Sequence, residues 1–194
     1  MEVLNFEHMR RSMVDSQLRT SGVTDAWVVA AMGSIAREDY VPASHRDTAY
    51  MDRAVTLSDG SVLNPPVSTA LLLQAAEIRQ DDDVLLVGKA GGYVAEILKQ
   101  RVANLTTVDA DNLGDAQTGK HFSVIVIDGA AAELPAALLQ FASEGARVVT
   151  GVIEGAVTRL AKGYVHKGNV ALKSFADSEI APIAAFAHKR EFVF

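Results

Sequence analysis

The sequence contains no cysteine among its 194 residues. Disulfide bonds, thiolate zinc sites and a cysteine nucleophile are therefore excluded, and a reducing compartment suits such a chain. Cations are also in the minority, with 18 Lys and Arg against 24 Asp and Glu and a formal net charge of −6. Because binding to phosphate backbones depends on clustered Lys and Arg, we do not expect nucleic acid as a partner.

Long apolar runs are missing as well. No window approaches the roughly 18 apolar residues that a membrane-spanning helix needs, so we do not expect a membrane partner. Charges interrupt the amino-terminal stretch "MEVLNFEHMRRSMVDSQLR" at short intervals, which argues against a secretory signal. The sequence therefore predicts a cytoplasmic protein.

The residues that are present indicate an ordinary folded chain. Hydrophobic residues make up 49% and charged residues 22% of the sequence, proportions typical of globular proteins rather than disordered or fibrous ones. At this length we expect a single domain over residues 1–194. Within it, residues 1–80 are expected to form helices and loops, and residues 81–194 the core.

Apolar spacing in the first half predicts helices around a long loop. Helical periodicity covers residues 6–32 and is interrupted at Gly22, after which Thr24 or Asp25 can cap a second helix. Pro, Asp and Gly recur through residues 37–66, which predicts a loop with one short strand pair. Helical periodicity resumes after the Pro65–Pro66 pair.

Beyond residue 80, strands and helices alternate. Continuous Val, Leu and Ile runs predict strands at 84–87, 105–108, 124–127 and 147–150, and such runs favour parallel strands covered on both faces. Helices are predicted at 93–99 and 134–141, and a hairpin of two short strands around 167–169. The predicted fold is α/β: a Rossmann-like, mostly parallel sheet with helices on both faces, an N-terminal helical extension and a C-terminal antiparallel hairpin.

A glycine-rich turn follows the first strand of the core, in "DDDVLLVGKAGGYVAEIL". Gly88, Gly91 and Gly92 allow a ligand to approach the backbone closely and to meet free N–H groups. Asp109 lies about 20 residues further on, where an acid commonly accepts hydrogen bonds from a ribose. These features fit NAD pockets and S-adenosylmethionine pockets equally well, and they also fit a plain tight turn beside a surface Asp.

Other catalytic signatures are absent from the sequence. The glycine turn does not end in the GK[ST] of a Walker phosphate loop, and no G-x-S-x-G supports a hydrolase triad. The five histidines share no metal-ligand spacing, so no metal is expected. They are His8, His45, His121, His166 and His188.

The amino-terminal half carries a much more specific pattern, in "MVDSQLRTSGVTDAWVVAAMGSIAREDYVPASHRDTAYMDRAV". This stretch resembles the opening of the protein-L-isoaspartate O-methyltransferase family. The matching residues are Met13, Val14, Gln17, Leu18, Gly22, Val23, Asp25, Met32, Arg37, Glu38, Tyr40, Val41, Pro42, Ala49, Tyr50 and Asp52. The resemblance continues in "FSVIVIDGAAAELPAALLQFASEGARVV" and in the closing "REFVF", and so covers nearly the whole chain.

The resemblance implies a reaction and a set of site residues. The family transfers a methyl group from S-adenosylmethionine to the misplaced carboxylate of an isoaspartyl residue in a protein, which starts its repair. That carboxylate is already an ionised nucleophile, so the enzyme chiefly aligns it in a dry site. Residues 1–80 would form the substrate side, and Asn64 occupies the position of the family's active-site serine, two residues before Pro66. The implied cofactor-binding residues are Gly88, Ala90, Gly91, Gly92, Tyr93, Asp109 and Asp128.

Three features depart from the family pattern. Ala90 replaces the middle glycine of the turn, next to Lys89, whose cation would lie close to the sulfonium. Asn64 replaces serine. Only thirteen residues separate Asp109 from Ser123, where the family places a helix, a third strand and an acidic residue.

The short interval has structural consequences. It predicts a methyltransferase sheet one strand unit shorter than the family's, with strand 105–108 at its edge, and an exposed edge favours a homodimer. Asp111 or Asp115 could replace the missing acid. Two hypotheses therefore lead: an isoaspartyl methyltransferase, or a catalytically degenerate relative acting as a binding or interaction module. NAD-dependent chemistry ranks last because it does not explain the amino-terminal pattern.

Overall fold

The computed structural model describes residues 4–116 and 119–187, so the closing "REFVF" and His188 lie outside the described residues. Helix α1 (Phe6–Met13) continues into a π-helical turn (Val14–Leu18), and Gly22 then takes a positive φ of 85°. Helix α2 (Ala26–Ser34) begins where the Asp25 side chain accepts a hydrogen bond from the Trp27 amide at 3.2 Å. Of the two predicted caps, Asp25 therefore makes the contact.

The long loop that follows is organised by short elements. Two 3-10 helices (Arg37–Tyr40 and Ala43–Thr48) precede an antiparallel pair, β1 (Val55–Thr56) and β2 (Val62–Leu63), which confirms the predicted strand pair. Helix α3 (Pro66–Ala75) starts at a proline, which needs no amide donor in the first turn.

Within the described residues, the main sheet has seven strands. They are β3 (Asp83–Val87), β4 (Asn104–Val108), β5 (Phe122–Ala131), β6 (Ala142–Glu154), β7 (Val157–His166), β8 (Asn169–Val170) and β9 (Lys173–Asp177). Their order is β4-β3-β5-β6-β7-β8, with β9 also paired to β7. Strands β4, β3, β5 and β6 are parallel, whereas β7 is antiparallel to β6, and β8 and β9 are antiparallel to β7. The predicted α/β class is thus confirmed.

Helices cover both faces because alternate strand residues point to opposite sides. Val84 and Leu86 of β3 pack into a core shared with α1, α2, α3 and α4 (Tyr93–Lys99). Leu85 and Val87 point into a second core with α5 (Ala136–Leu139) and the 3-10 segments near Ala116 and Phe186. A fully buried strand therefore needs the continuous apolar run seen in the sequence.

Two elements differ in extent from the prediction. The helix predicted at 134–141 is confined to α5, because Pro135 precedes its first residue and the strand β6 starts at Ala142. The strand predicted at 147–150 extends over thirteen residues and forms a long hairpin with β7. Gly155 turns this hairpin with a φ of 65°. The predicted turn at Lys167 and Gly168 is present and connects β7 to β8.

Strand β4 lies at one end of the strand order, as predicted for strand 105–108. Its outer edge pairs with no strand in the ranges 4–116 and 119–187. Between β4 and β5 the described chain contains only the short 3-10 segment Ala110–Ala116, which is kinked at Asn112. Over these same ranges, the helices are too short or too polar to cross a bilayer.

Candidate functional site

A cavity of about 640 Å³ opens at the carboxyl ends of β3, β4 and β5. Strand β3 lies between β4 and β5, so the chain leaves it in one direction and returns on its other side. Parallel sheets leave a crevice at such a switch point, and ligands commonly bind there. The cavity is lined by the glycine turn after β3, residues 109–111 after β4, Asp128 on β5, the β1–β2 hairpin and residues 181–184.

The glycine turn has a fixed backbone shape. The Gly88 amide donates to the Val108 carbonyl at 2.9 Å, and the Gly92 amide donates to the Lys89 carbonyl at 3.0 Å. A Cβ added to Gly92 would lie 3.0 Å from that carbonyl oxygen, a contact tighter than nearly all that side chains make. Gly91 has a φ of 68°, a conformation that costs glycine little.

Ala90 lies in the same turn without these constraints. Its φ is not positive, and it is absent from the residues that line the cavity. The other six predicted cofactor-binding residues all line it, namely Gly88, Gly91, Gly92, Tyr93, Asp109 and Asp128. The position that needs glycine for its backbone is therefore Gly91, and the alanine methyl group does not face the cavity.

Asn64 is buried rather than presented to the cavity. Its side chain is 1% exposed and is not part of the cavity lining. Nδ2 donates to Asp128 Oδ1 at 2.8 Å, and Oδ1 accepts a hydrogen bond from the Ala181 amide at 2.7 Å. One amide thus links the loop before α3, the end of β5 and the segment after β9. A catalytic role for Asn64 stays a prediction.

A buried arginine supports the same region. Arg37 is fully buried, and its guanidinium donates to the carbonyls of Ala49 and Asn64, each at 2.7 Å. Its Cζ lies 5.0 Å from the centroid of the Tyr93 ring, within the range of a cation–π contact. Burial lowers the pKa of Arg37, although nearby Tyr93 and Asp128 oppose that effect. The sequence pattern included Arg37 only as a family match, because no local signal shows which arginine is buried.

Two further groups near this arginine have shifted pKa values. Burial raises the pKa of Asp128, while the hydrogen bond from Asn64 and the charge of Arg37 act in the opposite direction. Burial also raises the pKa of Tyr93 to about 12, so its hydroxyl keeps its proton at neutral pH. That hydroxyl is buried and makes no hydrogen bond to the residues that the structure describes. Tyr93 is thus a neutral polar group in the cavity wall.

An ion pair spans the mouth of the cavity. Lys89 Nζ in the glycine turn lies 2.5 Å from Asp59 Oδ2 in the β1–β2 hairpin, and each side chain is 49% exposed. The hydrogen bond from Lys89 and those from Ser61 hold the pKa of Asp59 well below its usual range. Sequence reasoning found Lys89 but missed its partner, because 30 residues separate the two.

Acidic side chains dominate the cavity wall. The carboxylates are those of Asp39, Asp59, Asp109, Asp111 and Asp128, and the single cationic side chain in the described lining is that of Lys89. Of the two acids predicted to replace the family's missing one, Asp111 lines the cavity and Asp115 does not. Across residues 4–116 and 119–187, no three His, Cys, Asp or Glu side chains group as metal ligands.

Comparison with known proteins identifies the family. A sequence model of protein-L-isoaspartate(D-aspartate) O-methyltransferase matches residues 9–110, just over half of the chain. The chain belongs to this family. The match spans α1 to the end of β4 and so includes the glycine turn, Asn64 and Asp109.

Individual relatives support the same family assignment. A protein-L-isoaspartate O-methyltransferase of Koribacter versatilis is 31% identical over 176 residues, covering 78% of this chain and 79% of the relative. One from Roseiflexus castenholzii is 34% identical over 106 residues, covering 55% of this chain but 48% of the relative. The chain therefore aligns with about half the length of some curated family members and about four fifths of others.

Solved structures share the fold. A putative protein-L-isoaspartate O-methyltransferase from Plasmodium falciparum, in complex with S-adenosyl-L-homocysteine, superposes with a TM-score of 0.70. It is 16% identical and covers 91% of this chain and 98% of its own. A second protein-L-isoaspartate O-methyltransferase gives a TM-score of 0.73 at 16% identity, and the match covers 92% of this chain and 67% of the second protein. At this identity the likeness establishes the fold.

Proposed function

We propose that this chain transfers a methyl group from S-adenosylmethionine to the carboxylate of an isoaspartyl residue in a protein. The observation that carries the proposal is the placement of the glycine turn and Asp109 at the ends of adjacent parallel strands, around one cavity, in a chain of this family. The remaining residues of the site have to fit both the cofactor and the reaction.

The cavity fits the cofactor in shape and charge. Gly91 and Gly92 keep side chains out of the turn, so that the backbone can lie against a ligand. Asp109 directly follows β4 and lines the cavity, where a carboxylate can accept hydrogen bonds from a ribose diol. S-adenosylmethionine has a net positive charge at neutral pH, and five carboxylates against one ammonium favour a cation.

The reaction needs alignment more than acid–base chemistry. When bound, the cofactor supplies a methyl group whose bond to sulfur breaks as the substrate carboxylate oxygen attacks its carbon, which yields a methyl ester and S-adenosylhomocysteine. A carboxylate with an ordinary pKa near 4 is already ionised at pH 7, so no residue has to remove a proton. The residues of this chain are left to orient the groups and to exclude water.

The buried network provides that rigidity. Asn64 and Arg37 fix Asp128 and the segment at Ala181 beside the cavity through the hydrogen bonds described above. Side chains held by packing and hydrogen bonds keep a site within the narrow tolerance that methyl transfer requires. Asn64 would then act by positioning its neighbours.

The alternatives find less support. Neither the family match nor the relatives support a catalytically degenerate binding module, and the family is not one of NAD-dependent enzymes. Asp109 and the glycine turn, which an NAD pocket would share, are explained equally by S-adenosylmethionine.

Calorimetry and a methyl-transfer assay test the proposal. The protein is titrated with S-adenosylmethionine and S-adenosylhomocysteine, and transfer is followed on an isoaspartyl peptide beside the same peptide with ordinary aspartate. Transfer to the isoaspartyl peptide alone is expected. Absence of binding at millimolar ligand would contradict the proposal, and binding without transfer would contradict the proposed acceptor.

A matched pair of variants tests the role of Asp109. Asp109→Asn removes a charged acceptor, and we expect affinity for S-adenosylhomocysteine to fall about tenfold or more. Asp115→Asn changes a carboxylate in the segment after β4 that does not line the cavity, so its affinity should match that of the unmodified chain. Equal effects of both variants would show that Asp109 does not contact the ligand.

We also propose a homodimer formed through the edge of β4. Its support is the outer edge of Asn104–Val108, which pairs with no described strand and carries no proline or charged residue to discourage pairing. Sedimentation equilibrium is expected to show a dimer, and Thr106→Lys, which places a charge on the edge, is expected to shift it toward monomer. A monomer at every concentration would exclude this interface.

A further inference from the structure

The ion pair between Lys89 and Asp59 joins two walls of the cavity. Lys89 belongs to the glycine turn, and Asp59 belongs to the hairpin that faces it, with 2.5 Å between Nζ and Oδ2. Both side chains are about half exposed. A pair so exposed contributes little to stability and can exchange partners readily.

Lys89 is also the single cationic side chain in the described lining. Every other charged side chain in the lining is a carboxylate, four of them besides Asp59. Among the charged side chains of the described lining, the lysine ammonium is therefore the one that attracts a ligand carboxylate, and the acids repel it. If a ligand carboxylate takes the place of the Asp59 carboxylate beside Lys89, the lysine remains paired and its charge stays neutralised.

The proposed cofactor carries such a group. Its amino-acid end has an α-carboxylate and an α-ammonium, so the first can pair with Lys89 while the second faces the acidic wall. We propose that Lys89 binds the α-carboxylate of the cofactor in exchange for Asp59, and so selects ligands with the amino-acid end. This inference rests on the proposed function.

Two ligands that differ in this end separate the inference from the proposed function. S-adenosylhomocysteine has the amino-acid end, whereas 5′-methylthioadenosine keeps the adenosine and the thioether without it. In Lys89→Met, which keeps an apolar stem without the charge, S-adenosylhomocysteine should bind about tenfold more weakly. Affinity for 5′-methylthioadenosine should stay within about twofold, because that ligand has no carboxylate to lose.

Asp59→Asn should have the opposite effect. It removes the carboxylate that competes for Lys89, so affinity for S-adenosylhomocysteine should rise by roughly two- to fivefold, the strength of an exposed pair. In the double variant Lys89→Met/Asp59→Asn the gain should vanish. Lys99→Met is the matched control, since Lys99 pairs with Glu96 at 2.6 Å, is similarly exposed, and does not line the cavity.

Calorimetry on the full chain distinguishes the outcomes, with a thermal melt of each variant to confirm folding. If the unmodified protein binds neither ligand, the proposed function and the inference both fail. If it binds S-adenosylhomocysteine and Lys89→Met binds it equally well, only the inference is overturned. Equal losses for both ligands, or weaker binding in Asp59→Asn, would also overturn it, because they indicate a structural role for the pair.

Discussion

Replacing Asn64 by alanine is expected to lower the free energy of unfolding by about 3 kcal/mol. The side chain is 1% exposed and makes two long-range hydrogen bonds, to Asp128 Oδ1 at 2.8 Å and from the Ala181 amide at 2.7 Å. A hydrogen bond to a charged group contributes about 1.5–3 kcal/mol and one between neutral groups about 1 kcal/mol. The variant also leaves the Ala181 amide without this partner.

Urea unfolding followed by circular dichroism measures the loss. For a chain of this size, about 3 kcal/mol corresponds to a fall in Tm of roughly 6–12 °C. Asn169→Ala is the control, because Asn169 is exposed at the start of β8 and its side-chain amide donates locally, to the Lys167 carbonyl at 3.1 Å. The control should change stability by less than about 0.5 kcal/mol. Equal effects of the two variants would refute the assignment of Asn64 to a buried linking role.

The pH dependence of Asn64→Asp sharpens the same argument. A second carboxylate beside Asp128 disfavours ionisation of both, so the pair's pKa in the folded state is raised above its unfolded value. Burial already raises the pKa of Asp128. A raised folded-state pKa gives stability that is present at low pH and lost as pH rises. As pH falls from 8 to 5, the free energy of unfolding of Asn64→Asp should therefore rise relative to that of the unmodified chain. Parallel pH profiles of the two proteins would refute this.

Three further changes follow from the structure. Burial opposes the charge of Asp82, but hydrogen bonds, one of them from Arg147, outweigh burial and lower its pKa below the ordinary 3.8. Because a lowered folded-state pKa stabilises the protein at higher pH, Asp82→Asn should cost about 2 kcal/mol at pH 7. The difference should shrink below about pH 4, and urea unfolding at pH 7 and pH 3 measures it. Gly91→Ala should cost about 1–2 kcal/mol through its φ of 68° alone, since no atom lies within 4 Å of an added Cβ; Gly114→Ala, equally open but without positive φ, should cost less in the same measurement. Ala90→Gly should leave affinity for S-adenosylhomocysteine within about twofold and lower stability by about 0.5 kcal/mol, and a large gain in calorimetric affinity would show that the methyl group obstructs the ligand.

Local pattern was enough for much of the core and for the family. The helix predicted at 93–99 is α4 (Tyr93–Lys99), and the strands at 84–87 and 105–108 lie within β3 and β4. These elements are short, apolar and bounded by Gly or polar residues, so neighbouring residues alone indicate their type. The glycine turn and Asp109 were found for the same reason. The lengths of α5 and β6 were not, because pairing with β7 extends β6 beyond its apolar stretch.

The chemistry of the site depended on contacts between distant residues. Sequence alone determined that Asn64 stands where the family has serine, but only the fold decided that its amide is buried between Asp128 and Ala181. Sequence likewise identified Lys89 as an unusual cation, and only the fold set it against Asp59. Hydrogen bonds and ion pairs that join segments 30 to 117 residues apart leave no periodic trace in the chain, because they arise when the segments pack together.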